Sequence, residues 1–109
     1  MPLLDPQDER GRMKHVYIPN RGVHDYSAAE RFGELVFCTE GFVKRTDVGA
    51  MHDALADAMH DAEPDDFLIL DSFTTLSCIA AGIFASRFGR LNLLLYAKGD
   101  YQPHYLTLD

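Results

Sequence analysis

The side chains able to do chemistry fall into three short groups, each placed directly after an apolar run. Asn20, Arg21, His24, Asp25 and Tyr26 follow Val16-Tyr17-Ile18; Thr39 and Glu40 follow Leu35-Val36-Phe37-Cys38. Asp71, Ser72, Thr74 and Thr75 follow Phe67-Leu68-Ile69-Leu70. Together they could receive a nucleotide or another small phosphate ester. Arg21 would form charge-assisted bonds to the anion, and Ser72, Thr74 and Thr75 open a helix whose free N–H groups attract it. Asp25, Glu40 or Asp71 would then accept bonds from ribose hydroxyls or a base amine, and Tyr26 would stack on the base. Asn20 and His24 belong to the same group of candidate ligand contacts, and His24 beside Asp25 also invites an acid–base reading. No glycine-rich dinucleotide fingerprint or P-loop lysine supports this, and helix capping and turn chemistry explain Ser27, Ser72 and Thr74 taken singly. A different chemistry makes Asp25, Glu40 and Asp71 the ligands of Mg²⁺, a hard cation that takes few carboxylates and several waters. That would give a phosphoryl-transfer or hydrolytic enzyme. No serine or cysteine sits in a recognisable nucleophile elbow, so catalysis is not specified and the balance leans away from an enzyme. The binding reading needs no cofactor; Mg²⁺ enters only with the enzyme. His52 and His60, eight residues apart on one helix, stand ~12 Å apart and cannot share an ion, and Asp57, His60 and Asp61 suit a solvated helix face.

The elements that must position these groups follow from apolar spacing and stop signals. Val16-Tyr17-Ile18 is a first strand ended by Pro19-Asn20-Arg21-Gly22. Ser27 is placed to cap a short helix over 28–32, with Glu30 completing a capping box and Gly33 ending it. Leu35-Val36-Phe37-Cys38 is a second strand. Asp47 caps a second helix on which Val48, Met51, Leu55, Ala58 and Ala62 share one face, and Pro64 closes it. Phe67-Leu68-Ile69-Leu70 lacks polar alternation, as in a strand covered on both faces. A third helix, capped by Ser72 or Thr74, runs over 75–88 to Gly89. Residues 91–96 and 101–108 form two final strands about Lys98-Gly99-Asp100, and Pro103 places the last at a sheet edge. The order β-α-β-α-β-α-β-β predicts a small three-layer Rossmann-like α/β fold, mostly parallel, with a C-terminal hairpin. In such sheets the loops at the carboxyl ends of the strands form the ligand crevice.

The chain of 109 residues fits one domain, read as residues 14–109 behind a polar arm of residues 1–13. The arm offers little apolar surface, so its removal is expected to leave the melting temperature nearly unchanged; Met13 offers an alternative start. A formal charge of −7 argues against sequence-independent binding to duplex nucleic acid. No apolar run approaches the ~18 residues of a membrane span, and nothing resembles a signal peptide, so a cytoplasmic protein is expected. Cys38 and Cys78 both lie in apolar runs and read as buried, reduced thiols.

The third helix has little that seeks water. Leu76, Ile79, Ile83, Phe84 and Phe88 fill one half of its circumference, and Cys78, Ala81, Gly82 and Ala85 fill most of the other. The sheet can cover one half only. A second copy is the expected cover for the other, making the chain a homo-oligomer, with the first helix or the arm as the alternative. Tyr101 and Tyr105 share one face of the last strand and serve either sheet packing or a partner.

Two resemblances add to this. Leu35-Val36-Phe37-Cys38-Thr39-Glu40-Gly41 and Phe67-Leu68-Ile69-Leu70-Asp71 resemble the glutamate- and aspartate-bearing strands of Toprim domains. The likeness covers about half the chain and breaks at Phe73, where that family carries a second acid. The runs Val16-Tyr17-Ile18-Pro19-Asn20, His24-Asp25-Tyr26-Ser27-Ala28-Ala29-Glu30-Arg31-Phe32-Gly33-Glu34-Leu35-Val36 and Arg87-Phe88-Gly89-Arg90-Leu91-Asn92-Leu93-Leu94 resemble short accessory proteins of tailed bacteriophages, across residues 14–96. That resemblance implies a phage accessory protein in the host cytoplasm, acting by binding. It would sequester a nucleotide, as an anti-defence protein could, or else inhibit a host protein as an interaction module. The Mg-dependent Toprim-like enzyme stands third.

Overall fold

A computed structural model describes residues 5–108. The expected element order is present. Strand β1 (His15–Ile18) leads through a 3₁₀ helix (Ser27–Phe32) to β2 (Glu34–Phe37), then α1 (Val48–Ala58), β3 (Phe67–Leu68), α2 (Thr74–Phe88), β4 (Arg90–Ala97) and β5 (Asp100–Thr107). The five strands form one sheet ordered β2-β1-β3-β4-β5. The first four run parallel, with Tyr17 opposite Val36 and Leu68, and Leu68 opposite Leu93. β5 returns antiparallel to β4.

Strand alternation divides the core between the two faces. Val16 and Ile18 point to one, where the 3₁₀ helix contributes Ala29 and Phe32 beside Phe67, Ile69, Leu94 and Tyr101. Tyr17 and Leu68 point to the other, where α1 brings Met51 and Leu55 and α2 brings Leu76, Ala80 and Phe84. Burial of Phe67, Leu68 and Ile69 explains why that run carries no polar alternation. Its ladder is shorter than expected, although the Ile69 N–H still donates to the Tyr17 carbonyl at 3.0 Å.

The helix ends differ in detail from the expectations. Asp47 caps α1, accepting the Ala50 N–H at 3.1 Å, but the helix stops at Ala58, and Met59 takes the core position in place of Ala62. Ser27 caps nothing: Asp25 Oδ1 accepts the Ser27 N–H at 2.9 Å, so the aspartate two residues earlier shapes that turn. Neither Ser72 nor Thr74 caps α2, whose N-cap is the extended Phe73. Gly89 ends α2 in the left-handed conformation, φ 66°, and donates to the Ala85 carbonyl at 2.8 Å. Gly33 is required for another reason, since a Cβ there would strike the Lys14 carbonyl.

Of the expected loose arm, residues 1–4 lie outside the described residues; residues 5–13 are tied to the body. The Lys14 N–H donates to the Pro6 carbonyl at 2.7 Å, Arg10 reaches Glu63 at 3.1 Å, and the Arg12 guanidinium grips Asp66 at 2.8 and 3.0 Å. Asp66 is wholly buried and also accepts the backbone N–H groups of His15 (3.0 Å) and Glu63 (2.9 Å). Among the described residues Arg12 thereby supplies the one countercharge to a buried carboxylate, which composition does not reveal. Its own pKa is raised by that hydrogen bond.

Cys78 also departs from expectation: it is exposed, while Cys38 is partly buried. The reason is the orientation of α2, which turns Leu76, Ala80 and Phe84 inward and leaves Cys78, Gly82 and Ser86 outward. The 3₁₀ helix lies on the opposite face of the sheet and does not cover them.

Candidate functional site

The loops after β1, β2 and β3 do gather at the carboxyl end of the sheet, but they do not close on one crevice. The strand order is the reason. β1 lies between β2 and β3, so the loops leaving β2 and β3 start roughly 10 Å apart, two strand spacings.

The loops after β1 and β2 are clipped together. Arg21 N–H donates to the Thr39 carbonyl at 2.8 Å, Thr39 Oγ1 lies 2.7 Å from the Pro19 carbonyl and 2.9 Å from Asn20 Oδ1, and Asn20 Nδ2 donates to the Gly41 carbonyl at 3.2 Å. Asn20 and Thr39 are therefore committed to holding backbone. The Arg21 guanidinium lies 4.4 Å over the Phe37 ring and 3.6 Å from Glu40.

The loops after β1 and β3 meet at a different bond, from the Tyr26 hydroxyl to Asp71 Oδ2 at 2.8 Å. Burial, then that carboxylate, raises the Tyr26 pKa. His24 stands beside it, 5.2 Å from the Tyr26 ring and 6.4 Å, edge-on, from Tyr96. Asp25 turns away to the Ser27 amide, which lowers its pKa.

Two open clefts flank this Tyr26–Asp71 strut and share His24. One, of about 540 Å³, is lined by Arg21, His24, Asp25, Tyr26, Glu30, Glu34 and Phe37 among others. The other, of about 420 Å³, lies over the ends of β3 and β4, between Asp71, Leu95, Tyr96 and Tyr101. Thr39 and Glu40 border a separate hollow with Phe42 and Lys44. Ser72 and Thr74 border another with Cys78, and Thr75 is exposed beyond it. Asp25, Glu40 and Asp71 thus each have their own partner, and among the described residues no group of three His, Cys, Asp or Glu is disposed to hold a metal ion.

Phe37, Tyr96 and Tyr101 line these clefts and are not among the ligand candidates: Phe37 and Tyr96 lie in apolar runs that read as sheet packing, and Tyr101 reads as packing or a partner surface. The ends of the loops carry a further feature: Val23 and Phe42 are 108 % and 93 % exposed, as free as side chains can be, and Tyr96 and Leu95 at the end of β4 are about half exposed. Val23 and Phe42 stand on loops that the Arg21–Thr39 backbone bond clips together, so both are presented at the same end of the sheet. Their only sequence signal is an apolar residue inside a polar turn.

Neither the comparison with curated proteins nor that with solved structures gives a match. A family model built on the phage Pam3 gp32-like protein matches residues 10–108, and so spans β1 to β5 together with Arg12. This chain, with its mostly parallel sheet and antiparallel C-terminal pair, belongs to the phage Pam3 gp32-like protein family.

Proposed function

We propose that this phage-family chain is a protein-binding module that docks its partner with the carboxyl end of the sheet. The observation that carries it is the outward display of Val23 and Phe42, with Tyr96 and Leu95 beside the neighbouring cleft. Such side chains gain by entering a partner's pockets, at ~1.5–3 kcal/mol each when fully buried. The loops that carry Val23 and Phe42 hold both signs of charge, Asp25 and Glu40 with Arg21, Lys44 and Arg45, so the fitting partner surface is apolar with a mixed polar rim. The test is capture from infected-host lysate by the wild-type chain and by a Val23→Ser/Phe42→Ser variant. A protein retained by the first and lost by the second supports the reading; identical captures contradict it.

The nucleotide reading rests on the His24, Tyr26 and Tyr96 rings, which offer faces and edges to a base, with Asp71 to accept an amine. Charge weighs against the phosphate half of it. Three carboxylates, Asp25, Glu30 and Glu34, line the larger cleft against the single guanidinium of Arg21, which Glu40 and Phe37 already engage. A thermal-shift screen of nucleotides with and without Mg²⁺ tests it: stabilisation by a nucleotide, lost in Asp71→Asn, would restore it to first place.

A further inference from the structure

The outer edge of β5 is guarded along half its length and open along the other half. β4 and β5 are joined by a two-residue turn, Lys98 and Gly99, both at positive φ, with Ala97 opposite Asp100. In such a hairpin the closing pair exchanges hydrogen bonds, so even-numbered β5 residues turn their N–H groups toward β4. The Leu108 N–H continues this alternation, donating to the Gly89 carbonyl at 2.8 Å. Tyr101, Pro103, Tyr105 and Thr107 therefore direct their backbone groups outward.

At the turn end these groups are occupied. The Tyr101 N–H is taken by Asp100 Oδ1 at 2.8 Å, and its carbonyl by Arg31 Nη2 at 2.8 Å. Arg31 in turn pairs with Asp100 at 2.9 Å, and Pro103 has no N–H to offer. These are the usual protections of an edge. At Tyr105 and Thr107 they cease. Among the described residues nothing pairs with β5 on that side, and the flanking Tyr105, Leu106 and Leu108 are 61 %, 50 % and 40 % exposed. Residues 101–108 carry no Asp, Glu, Lys or Arg.

We propose that this open half-edge pairs antiparallel with the same strand of a second copy. The pattern is self-complementary about Tyr105. Its N–H and C=O face their own counterparts, and each Thr107 N–H meets the free carbonyl of the other copy's Pro103. The Thr107 carbonyl, opposite a proline, is left at the end of the ladder where water reaches it. Side chains agree: Tyr105 meets Tyr105 on one face, an aromatic cross-strand pair, and Leu106 adjoins the other copy's His104 on the opposite face. A chain of net charge −7 resists meeting its copy over most of its surface, but this strand brings no like charges together.

Light scattering across the micromolar range, on the whole chain, tests the pairing. The wild type is expected at twice the chain mass. Thr107→Pro removes one outward donor per copy without touching the ladder to β4, and should weaken association by about tenfold or more, the loss of two hydrogen bonds across the pair. Tyr105→Lys should do likewise. A monomeric wild type overturns the proposal, as does a dimer indifferent to both changes or one that Gly82→Glu on α2 abolishes while Thr107→Pro does not. Should either variant fail to fold, hydrogen exchange on the wild type decides. Protection of the Tyr105 and Thr107 amides that grows with concentration supports the pairing, and its absence at the highest concentration refutes it.

Discussion

Arg12→Met removes the countercharge of Asp66 while keeping most of the side chain's apolar stem. Two of the four hydrogen bonds to the carboxylate are lost, those from the guanidinium at 2.8 and 3.0 Å; the His15 and Glu63 amides stay. Breaking one partner out of a buried ion pair costs about 3–5 kcal/mol, because the remaining charge is left in a poor solvent. Asp66 is 0 % exposed at its side chain and Arg12 22 %, so water can follow the missing guanidinium only part of the way. The low end, about 3 kcal/mol, is the expected loss. For a domain of this size that lowers Tm by roughly 12–15 °C. Asp66→Asn should cost less, since Arg12 reaches solvent, and the double variant should recover about 1–2 kcal/mol relative to additivity. A chain beginning at Met13 loses the same guanidinium and should behave like Arg12→Met. Urea melts of the wild type and the four variants measure the losses and the coupling. A loss under about 1 kcal/mol in Arg12→Met, with no coupling in the cycle, would refute the claim that this segment is part of the fold.

Other consequences follow from burial. Desolvation, its first cause in each, lifts the pKa of Tyr17, Tyr26 and Tyr101 above the ordinary 10.0. A raised folded value gives stability that is whole below the unfolded value and lost as pH rises beyond it. Buried Cys38, whose ordinary value is 9.0, adds a loss of the same sign that begins earlier. Denaturant melts should therefore start to fall at about pH 9 and fall more steeply above about pH 10, and ionisation of Tyr17, Tyr26 and Tyr101 in the folded chain near the ordinary 10.0 would contradict this. Burial pushes the Cys38 thiol up to about 12, whereas Cys78 is exposed, so a thiol reagent at neutral pH should label Cys78 alone by mass spectrometry. Gly82 has nothing within 4 Å of where a Cβ would stand, so Gly82→Ala should raise stability by about 0.5–1 kcal/mol; a lower Tm would instead mean that a second copy packs closely on the small-residue half of α2.

The element order could be read from the sequence because its signals are local. The first strand stops at Pro19, the helical stretches are followed by Gly33, Pro64 and Gly89, and the Lys98-Gly99 turn fits its hairpin. The caps were harder, since Ser27, Ser72 and Thr74 are all competent types and only backbone angles decide which side chain faces a free N–H. The ion pair of Arg12 and Asp66 gave no signal, being a contact across more than fifty residues between two ordinary surface types. The site was half legible. Its residues lie at the carboxyl end of the sheet, as strand-end loops must, but with β1 between β2 and β3 the three groups bond within separate pairs. Asn20 and Thr39 became structural, Tyr26 and Asp71 became a strut, and the exposed Val23 and Phe42 carry the interest that the polar residues had drawn.

The most direct test of the account is a hydrogen-exchange footprint of the chain with and without the protein it captures. Docking through the carboxyl end of the sheet predicts slower exchange in residues 19–26, 39–47 and 95–97 on binding, with α1 and α2 unchanged. Protection confined to α2, or none in the loops that carry Val23 and Phe42, would contradict it.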